Sequence, residues 1–244
     1  MKIEELVPAQ SARSVPSTAK GRPLSEQAFI TLRRRILRGE IPPGTKLRIE
    51  VLQQEHSLSS SPLREALNRL VAEGLVTNDD NKGFRAAAMS PADLNDITNF
   101  RLLVEPAALA QSIASGDVAW EGRIVAEFHQ LERLRARALA SGQGPDEEWT
   151  ERHKMFHMAL LSAADSPRLL ATCSSLFDQS ERYRRFSVMN RKEPRNIDDE
   201  HRRMMDAALD RKTELACAIL RDHINQTARN VVMIATAEQG RTEA

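Results

Sequence analysis

Residues 59–74 restrict the possible folds of this chain more strongly than any other segment. Ser59, Ser60 and Ser61 can cap a helix, and Pro62 is tolerated in a first helical turn because its missing N–H would have no partner there. Apolar residues then recur at the i, i+3, i+4, i+7 and i+8 positions of one helical face: Leu63, Ala66, Leu67, Leu70 and Val71. Gly74 is typical of a helix end. The segment predicts an amphipathic helix with a polar N-terminus.

The elements around this helix predict a small domain of fixed order. A helix from Leu24 to Gly39 precedes a rigid turn at 41–44, and a second, short helix runs from Ile49 to His56. After Gly74, residues 75–77 and 84–87 are predicted as short strands joined by a turn over 78–83. Helix, helix, turn, helix and hairpin is the order of a winged helix-turn-helix. We assign residues 22–88 to this DNA-binding domain and residues 1–21 to a flexible tail.

In a helix-turn-helix, the second helix of the motif enters the major groove of DNA with its N-terminal residues against the bases. Hydroxyl, amide and guanidinium groups on this helix are therefore candidates for contacts with bases or phosphates. Further phosphate contacts are predicted from Arg34 and Arg35 on the first helix and from Lys82 in the wing, although each of these cations has an alternative as part of a solvated face. The candidates on the second helix of the motif are Ser59, Ser60, Ser61, Arg64, Asn68 and Arg69.

The remainder of the chain is predicted to be entirely helical. From Ala92 to about Ala235 only helical periodicity is present, and breaks near residues 115, 141–145, 166, 192–194 and 210 divide it into about six helices. Aromatic residues make up only 4% of the chain, which favours helix packing over a sheet sandwich. We expect a linker over 89–93, a helical domain over 94–236 and a flexible tail over 237–244.

Charge and cysteine content agree with a DNA-binding protein of the cytoplasm. Residues 1–88 carry 14 Lys+Arg and 10 Asp+Glu, a balance of +4, which leaves −3 for the rest of a chain of net charge +1. A polyanionic partner is thus expected to bind the part of the chain formed by residues 1–88. Cys173 and Cys217 form no CxxC pair and are expected to be reduced. The sequence contains no apolar run of 18 residues, so no membrane partner is predicted.

Four histidines in the second half have a spacing that suggests a metal site. His153 and His157 are four residues apart and share a helix face, and His201 and His223 lie on the last two predicted helices. If those helices pack antiparallel, all four imidazoles can face one interior point, where they suit Zn²⁺, Ni²⁺ or a similar ion. The alternative is that the i, i+4 pair is a coincidence of helical spacing.

The N-terminal part of the chain resembles the GntR family of bacterial transcription regulators. The resemblance covers about residues 24–88 and rests on the segments 41–47, 59–70 and 73–76 in their order and spacing. It implies a repressor that binds a pseudo-palindromic operator as a homodimer. Where the family usually has a guanine-reading Arg, this chain has Ser60, so Arg64 becomes the more important donor.

The second half resembles the FCD effector domain of the FadR branch of that family, over about residues 92–235. The motifs are residues 100–106, His153 to His157, Glu200-His201 and the late His223. The resemblance implies an antiparallel bundle of six or seven helices that dimerises and holds a metal through His153, His157, His201 and His223. His153 stands where many members have Asp. It further implies that Arg101 binds the carboxylate of a small effector, against the alternative of an ion pair between Arg101 and Glu105.

A narrower resemblance concerns the effector. Glu148-Trp149 before His153, and residues 181–185, are similar to the carbon-starvation-induced regulators that respond to glutarate. This implies glutarate or 2-hydroxyglutarate as effector, with Tyr183 and Arg184 as further contacts, whereas the alternative for these side chains is a solvated helix face. A metal bound only by neutral histidines beside Arg101 favours an anionic effector on charge grounds.

Two other functions compete with the regulator. A metal-dependent hydrolase of the zincin type needs a Glu next to the first histidine, but Lys154 follows His153 and no nucleophile elbow or phosphate loop is present. A DNA-binding protein whose helical domain is structural and binds no ligand would show the same periodicity. We predict that the protein is not an enzyme and that an effector changes its affinity for DNA.

Overall fold

The computed structural model describes residues 22–79, 83–141, 147–190 and 197–242. The predicted N-terminal tail and Lys82 lie outside these ranges. The chain forms two compact units: one extends to Leu94 and includes Glu181–Tyr183, and the other contains Asn95–Ser180 and the residues from Arg184 onward. No helix of the described ranges is long and apolar enough to cross a membrane.

The first unit contains the predicted winged helix-turn-helix. Its elements are α1 (Leu24–Leu37), α2 (Ile49–His56), α3 (Ser60–Ala72), β1 (Val76–Asp79) and β2 (Gly83–Ala86). The two strands pair antiparallel with Val76 opposite Ala86. The strand predicted from Leu75 begins at Val76, because the Leu75 N–H donates to the Leu70 carbonyl and so completes the end of α3.

A third extended segment lies beside the hairpin. The Leu47 N–H donates to the Phe84 carbonyl at 2.8 Å, and the Ala86 N–H donates to the Thr45 carbonyl at 2.9 Å. Lys46 is thereby held opposite Arg85 at the edge of the wing. Arg48 follows as the N-cap of α2.

The core of this unit is built on the predicted apolar stripe of α3. Leu63, Leu67 and Leu70 are fully buried, together with Leu32 of α1 and Leu75. Burying a leucine side chain contributes about 1.5–3 kcal/mol, so this stripe attaches α3 firmly and leaves its polar face outward.

The second unit is all-helical. Its helices are α4 (Pro91–Ser115), α5 (Val118–Ser141), α6 (Glu147–Leu161), α7 (Pro167–Asn190), α8 (Ile197–Leu209) and α9 (Thr213–Thr242), with the first residues of α4 and three residues of α7 assigned to the other unit. The mainly α fold with a helical second domain is confirmed. Helix α9 continues to Thr242, beyond the end predicted near residue 236. Trp120, Ile124 and Phe156 are fully buried in the core.

A proline inside α4 is compensated by α9. Pro106 has no N–H, so the carbonyl of Leu102, one turn earlier, lacks its helical donor. The Arg221 guanidinium donates to that carbonyl at 2.7 Å, and the Cys217 thiol lies 3.4 Å from the Pro106 carbonyl. The break in the hydrogen-bond ladder of α4 therefore becomes an attachment point for α9, the helix that carries His223.

Candidate metal centre and DNA-reading surface

The exposed face of α3 carries most of the residues predicted to meet DNA. Ser60, Ser61, Arg64 and Asn68 are exposed, and Ser59 is the N-cap residue, also exposed. The side chain of Ser59 makes no capping hydrogen bond to the helix. Arg64 has no ion-pair or hydrogen-bond partner within the described ranges. The structure therefore leaves these polar groups available to a ligand.

Two of the cations predicted to contact DNA form ion pairs inside the first unit. Arg35 Nη1 lies 2.9 Å from Glu55 Oε2. Arg69 Nη1 lies 2.6 Å from Glu26 Oε2, and its guanidinium stacks on Phe29 at 3.9 Å from the ring centre. Arg35 and Arg69 remain predicted DNA contacts, but each guanidinium already has an acidic partner within the first unit.

Arg34 of α1, also predicted to contact a phosphate, has a different environment. Arg34 is half-buried and forms no ion pair with any residue of the described ranges. Its Nε atom is buried without a hydrogen-bond partner. Arg34 remains a predicted phosphate contact.

The four histidines of the sequence motif come together inside the second unit. His153 and His157 project from α6, His201 from α8 and His223 from α9, and each is at most 6% exposed. Their ligand nitrogens all lie within 4.8 Å of one another. Helix packing thus unites an i, i+4 pair with two residues that are distant in sequence.

Three of the ring nitrogens form a triangle that hydrogen bonding cannot satisfy. The Nε2 atoms of His153, His157 and His201 are separated by 3.2, 3.2 and 3.3 Å. A neutral imidazole nitrogen is either a donor or an acceptor. At least two of the three must therefore be alike, so at least one contact cannot be a hydrogen bond.

A metal ion removes this conflict because it accepts all three lone pairs. Tetrahedral Zn²⁺ with Zn–N distances of about 2.0–2.1 Å places neighbouring ligand atoms about 3.3 Å apart. The observed triangle has nearly that size. The residues present thus fit a borderline divalent ion such as Zn²⁺ or Ni²⁺.

His223 is oriented for the same purpose by a carboxylate. Its Nδ1 lies 2.9 Å from Glu200 Oε2, so the carboxylate engages Nδ1 and not Nε2. A carboxylate behind a histidine ligand fixes the tautomer and raises the basicity of the imidazole. Glu200 and His201 are adjacent in the sequence motif, but the partner of Glu200 is His223, and only the packing of α8 on α9 reveals this pairing.

Burial favours the neutral form of His153 and His157. Desolvation is the main reason that the pKa values of His153 and His157 lie well below 6.5, and the neighbouring histidines lower them further. Arg101 and Arg184 also lower the pKa of His157. The neutral form of an imidazole is the one that binds a metal, so His153 and His157 are in the protonation state that a metal site requires.

Arg101 is buried beside the histidines and is already paired. Its Nε and Nη2 donate to the two carboxylate oxygens of Glu105 at 2.5 and 3.1 Å, and its Nη1 donates to Ser180 Oγ at 2.9 Å. The alternative of an Arg101–Glu105 ion pair is therefore observed. A guanidinium has five N–H groups, so two N–H groups of Arg101 remain beyond these three bonds.

The two predicted effector contacts on α7 have different surroundings. Arg184 lies over the ring of Trp149, 4.7 Å from its centre, and donates to Thr150 Oγ1 at 3.2 Å. Since Trp149 stacks on His153 at 4.7 Å, Arg184 is close to the histidines.

The Tyr183 hydroxyl, in contrast, is engaged within the first unit. It accepts from the Ser90 N–H at 2.9 Å and donates to Asp93 Oδ2 at 2.5 Å. Its only donor is therefore used in this structure, and the contact of Tyr183 with an effector remains a prediction.

Two side chains of the site were not predicted from the sequence. Ser180 accepts a hydrogen bond from Arg101. The ring centre of Phe177 lies 5.5 Å from Arg101 Cζ and 5.4 and 5.3 Å from the ring centres of His153 and His157. Phe177, Ser180 and Arg184 are spaced by three and four residues and share one face of α7. That spacing is visible in the sequence, but nothing local indicates which face of α7 meets the histidines.

Comparisons with known proteins agree with the two-part organisation. Residues 24–85 match the bacterial regulatory proteins of the gntR family, and residues 96–226 match the FCD domain. The chain is 36% identical over 209 residues to the uncharacterized HTH-type transcriptional regulator BphR of Paraburkholderia xenovorans, with 86% of this chain and 85% of that protein covered. It is 36% identical over 197 residues to the HTH-type transcriptional repressor GlaR of Escherichia coli, with 79% and 89% covered.

Solved structures show the same fold at low sequence identity. Escherichia coli McbR/YncC superposes with a TM-score of 0.71 at 17% identity, covering 87% of this chain and 98% of that one. A transcriptional regulator GntR from Rhodococcus sp. RHA1 gives a TM-score of 0.68 at 19% identity, covering 85% and 97%. With the family matches and the two relatives of 36% identity, the conclusion is that this chain belongs to the GntR family of DNA-binding transcription regulators, in the branch that carries an FCD domain.

Proposed function

We propose that the protein is a homodimeric repressor that releases a pseudo-palindromic operator when a small dicarboxylate, such as glutarate or 2-hydroxyglutarate, binds beside a divalent metal in the helical unit. The observation that carries this proposal is the triangle of Nε2 atoms at 3.2–3.3 Å. The name of the relative GlaR supports the repressor role, and the motifs around Trp149 and Tyr183 support the choice of effector.

The metal would be held by His153, His157, His201 and His223. When bound, it supplies positive charge to a carboxylate of the effector. The substitution of His153 for the Asp of many relatives removes one negative charge from this ligand set. The site therefore favours an effector that carries negative charge itself.

The side chains around the histidines extend this preference. Glu105 holds Arg101 by one edge of its guanidinium, and the two remaining N–H groups can take a carboxylate oxygen. Arg184, stacked on Trp149, provides a second cation. Arg101 and Arg184 are both buried, and their positive charge supports an effector that carries negative charge over a neutral molecule.

On the DNA side, Arg64 is the proposed reader of bases and the serines at the start of α3 contact bases or phosphates. We propose no catalytic role for the histidines. Lys154, which follows His153, pairs with Asp178 at 2.5 Å and is not placed to serve as a general base.

The test begins with the metal. Protein purified without added metal and measured by inductively coupled plasma mass spectrometry should contain about one divalent ion per chain. His157→Ala should lose that ion, because it removes one vertex of the triangle. His129→Ala is the matched control, since His129 is exposed on α5 and should leave the metal content unchanged. Equal metal content in all three proteins would reject the site.

The second arm measures the effector. Operator fragments selected from random DNA should bind the purified protein, and glutarate should weaken that binding by about 5–150-fold, the usual scale of allosteric coupling. Glutaramide, the neutral diamide of the same chain length, should have no effect. A DNA affinity that responds to neither compound would favour a structural role for the helical unit.

A further inference from the structure

A cation that binds the four histidines must first reach them through protein. His201, His157 and His153 are 1%, 2% and 3% exposed, so their ring atoms are closed to solvent. His223, at 6%, is the most exposed of the four. An entry path is a requirement of any buried metal site, and its place can be sought in the surroundings of each imidazole.

Aromatic rings pack against three of the imidazoles and cover them. Trp149 stacks on His153 with ring centres 4.7 Å apart. Phe177 lies against both His153 and His157. Phe156 lies 5.5 Å from His157 and 5.2 Å from His201 between ring centres. A hydrated ion loses hydration at such apolar walls, so they are unfavourable to its passage.

His223 instead lines an open polar cavity. This cavity, of about 460 Å³, lies between α8 and α9, and its wall includes Glu200, Arg203, Asp222, His223, Gln226 and Arg229. Two carboxylates and two guanidinium groups leave it near neutrality, and Arg203 lies within 3.9 Å of Asp199. Such a wall offers oxygen ligands to a hydrated cation without a strong opposing charge.

Glu200 connects this cavity with the histidines. Its side chain is 26% exposed, while its Oε2 atom lies 2.9 Å from His223 Nδ1. One carboxylate therefore touches both the solvent-filled space and a metal ligand.

We propose that this cavity is the entrance through which a divalent cation reaches the four histidines, with Glu200 and Asp222 as the carboxylates that it meets on the way. The inference rests on the proposed metal site and adds its route. It requires that the cation passes His223 and that no cation passes between the aromatic rings of Trp149, Phe156 and Phe177.

The test uses the full-length protein and Zn²⁺ alone. The chelator-treated protein is mixed with Zn²⁺ in a stopped-flow instrument to measure association, and the loaded protein is mixed with excess chelator to measure dissociation. Gln226→Trp narrows the cavity and leaves the four histidines and Glu200 unsubstituted. It should slow both association and dissociation by the same factor and leave the equilibrium Kd unchanged, because an obstacle on a path alters rates in both directions but not the end states.

Ala218→Trp is the matched control. Ala218 is exposed on the same helix and does not line the cavity, so this variant should keep both rates of the natural protein. If Gln226→Trp binds and releases Zn²⁺ as fast as the control, the route is wrong. If the natural protein binds no Zn²⁺, the metal site itself fails, so the two failures are distinguishable.

A second variant covers the case in which a tryptophan at 226 disturbs folding. Asp222→Lys reverses one charge at an exposed position of the cavity wall. It should lower the Zn²⁺ association rate by about tenfold at low ionic strength and much less at high salt, as expected for electrostatic steering along the path. An association rate that stays unchanged at low salt would overturn the proposal.

Discussion

The Arg101–Glu105 pair is the clearest case in which one residue depends on another. Both side chains are at most 6% exposed, so each needs the charge of the other. Glu105→Gln would leave a buried guanidinium without its counter-charge, and we expect the helical unit to lose about 3–5 kcal/mol in its free energy of unfolding. Urea denaturation followed by circular dichroism measures this loss.

The control for that variant is an exposed pair of the same chemistry. Arg137 and Glu148 lie 2.8 Å apart but are 60% and 57% exposed. Glu148→Gln should change the stability by about 1 kcal/mol or less, because solvent screens the pair. Similar losses in the two variants would show that burial does not determine the strength of the Arg101–Glu105 pair.

A pH dependence follows from the lowered pKa values of His153 and His157. In the unfolded chain both imidazoles titrate near 6.5, while in the fold they bind a proton only at lower pH. Between these values the unfolded state binds more protons, so stability rises with pH and falls on acidification below about 6.5. Urea midpoints measured in excess chelator at pH 7.5, 6.5 and 5.5 should fall in that order.

One substitution separates the histidines from other acid-sensitive groups. His153→Phe removes one of the buried titrating groups and keeps a ring in its place. The slope of stability against pH around 6 should become shallower in this variant. An unchanged slope would mean that the acid sensitivity arises elsewhere in the chain.

At the scale of elements, some arginine side chains of the winged helix have an acidic partner and others have none within the described ranges. Arg48, at the start of α2, and Arg64, on α3, are exposed and have no partner within the described ranges, whereas Arg35 is paired with Glu55. In a helix-turn-helix the first helix crosses the DNA backbone and the second enters the groove. We therefore expect the starts of α2 and α3 both to face DNA.

We therefore expect that removing one arginine charge affects DNA binding differently at paired and at unpaired positions. Arg48→Gln and Arg64→Gln should each weaken binding to a random-sequence duplex and reduce the slope of log K against log salt by about 0.9 for each phosphate that the side chain neutralises. Arg35→Gln removes the same charge from a paired side chain and should leave that slope nearly unchanged. Fluorescence anisotropy over a salt series measures all three, and a larger slope change in Arg35→Gln would reverse the assignment.

At the scale of the whole molecule, α7 carries residues of two kinds. Phe177, Ser180 and Arg184 surround the candidate effector site. Arg182 donates to the Ala87 carbonyl, and Tyr183 bonds to Ser90 and Asp93, all within the first unit. A shift of α7 on effector binding would therefore also act on the segment from Ala87 to Asp93, which follows the wing.

Tyr183→Phe tests this connection. It removes only the hydroxyl and its bonds to Ser90 and Asp93. We expect unchanged metal content and glutarate affinity in the absence of DNA, but a smaller effect of glutarate on operator affinity, because the coupling free energy depends on contacts that differ between the two states. Isothermal titration with glutarate and anisotropy with operator DNA measure the two quantities. A full glutarate response in Tyr183→Phe would exclude the hydroxyl from the coupling.

Much of this architecture could be read from local sequence signals. The polar caps, apolar stripes and glycine stops predicted the order of helices and the wing, because each depends on residues within a few turns of one another. The i, i+4 spacing of His153 and His157 likewise placed both imidazoles on one face of α6, since the helical repeat alone determines which residues share a face.

The tertiary structure decided what depends on the packing of distant faces. It placed His201 and His223 within 4.8 Å of that pair, directed Glu200 to His223 and gave Arg35 and Arg69 acidic partners. It also paired the Tyr183 hydroxyl with Ser90 and Asp93. The physical reason is that the partner of a helix face is selected by long-range packing, which the spacing of residues along one helix does not encode.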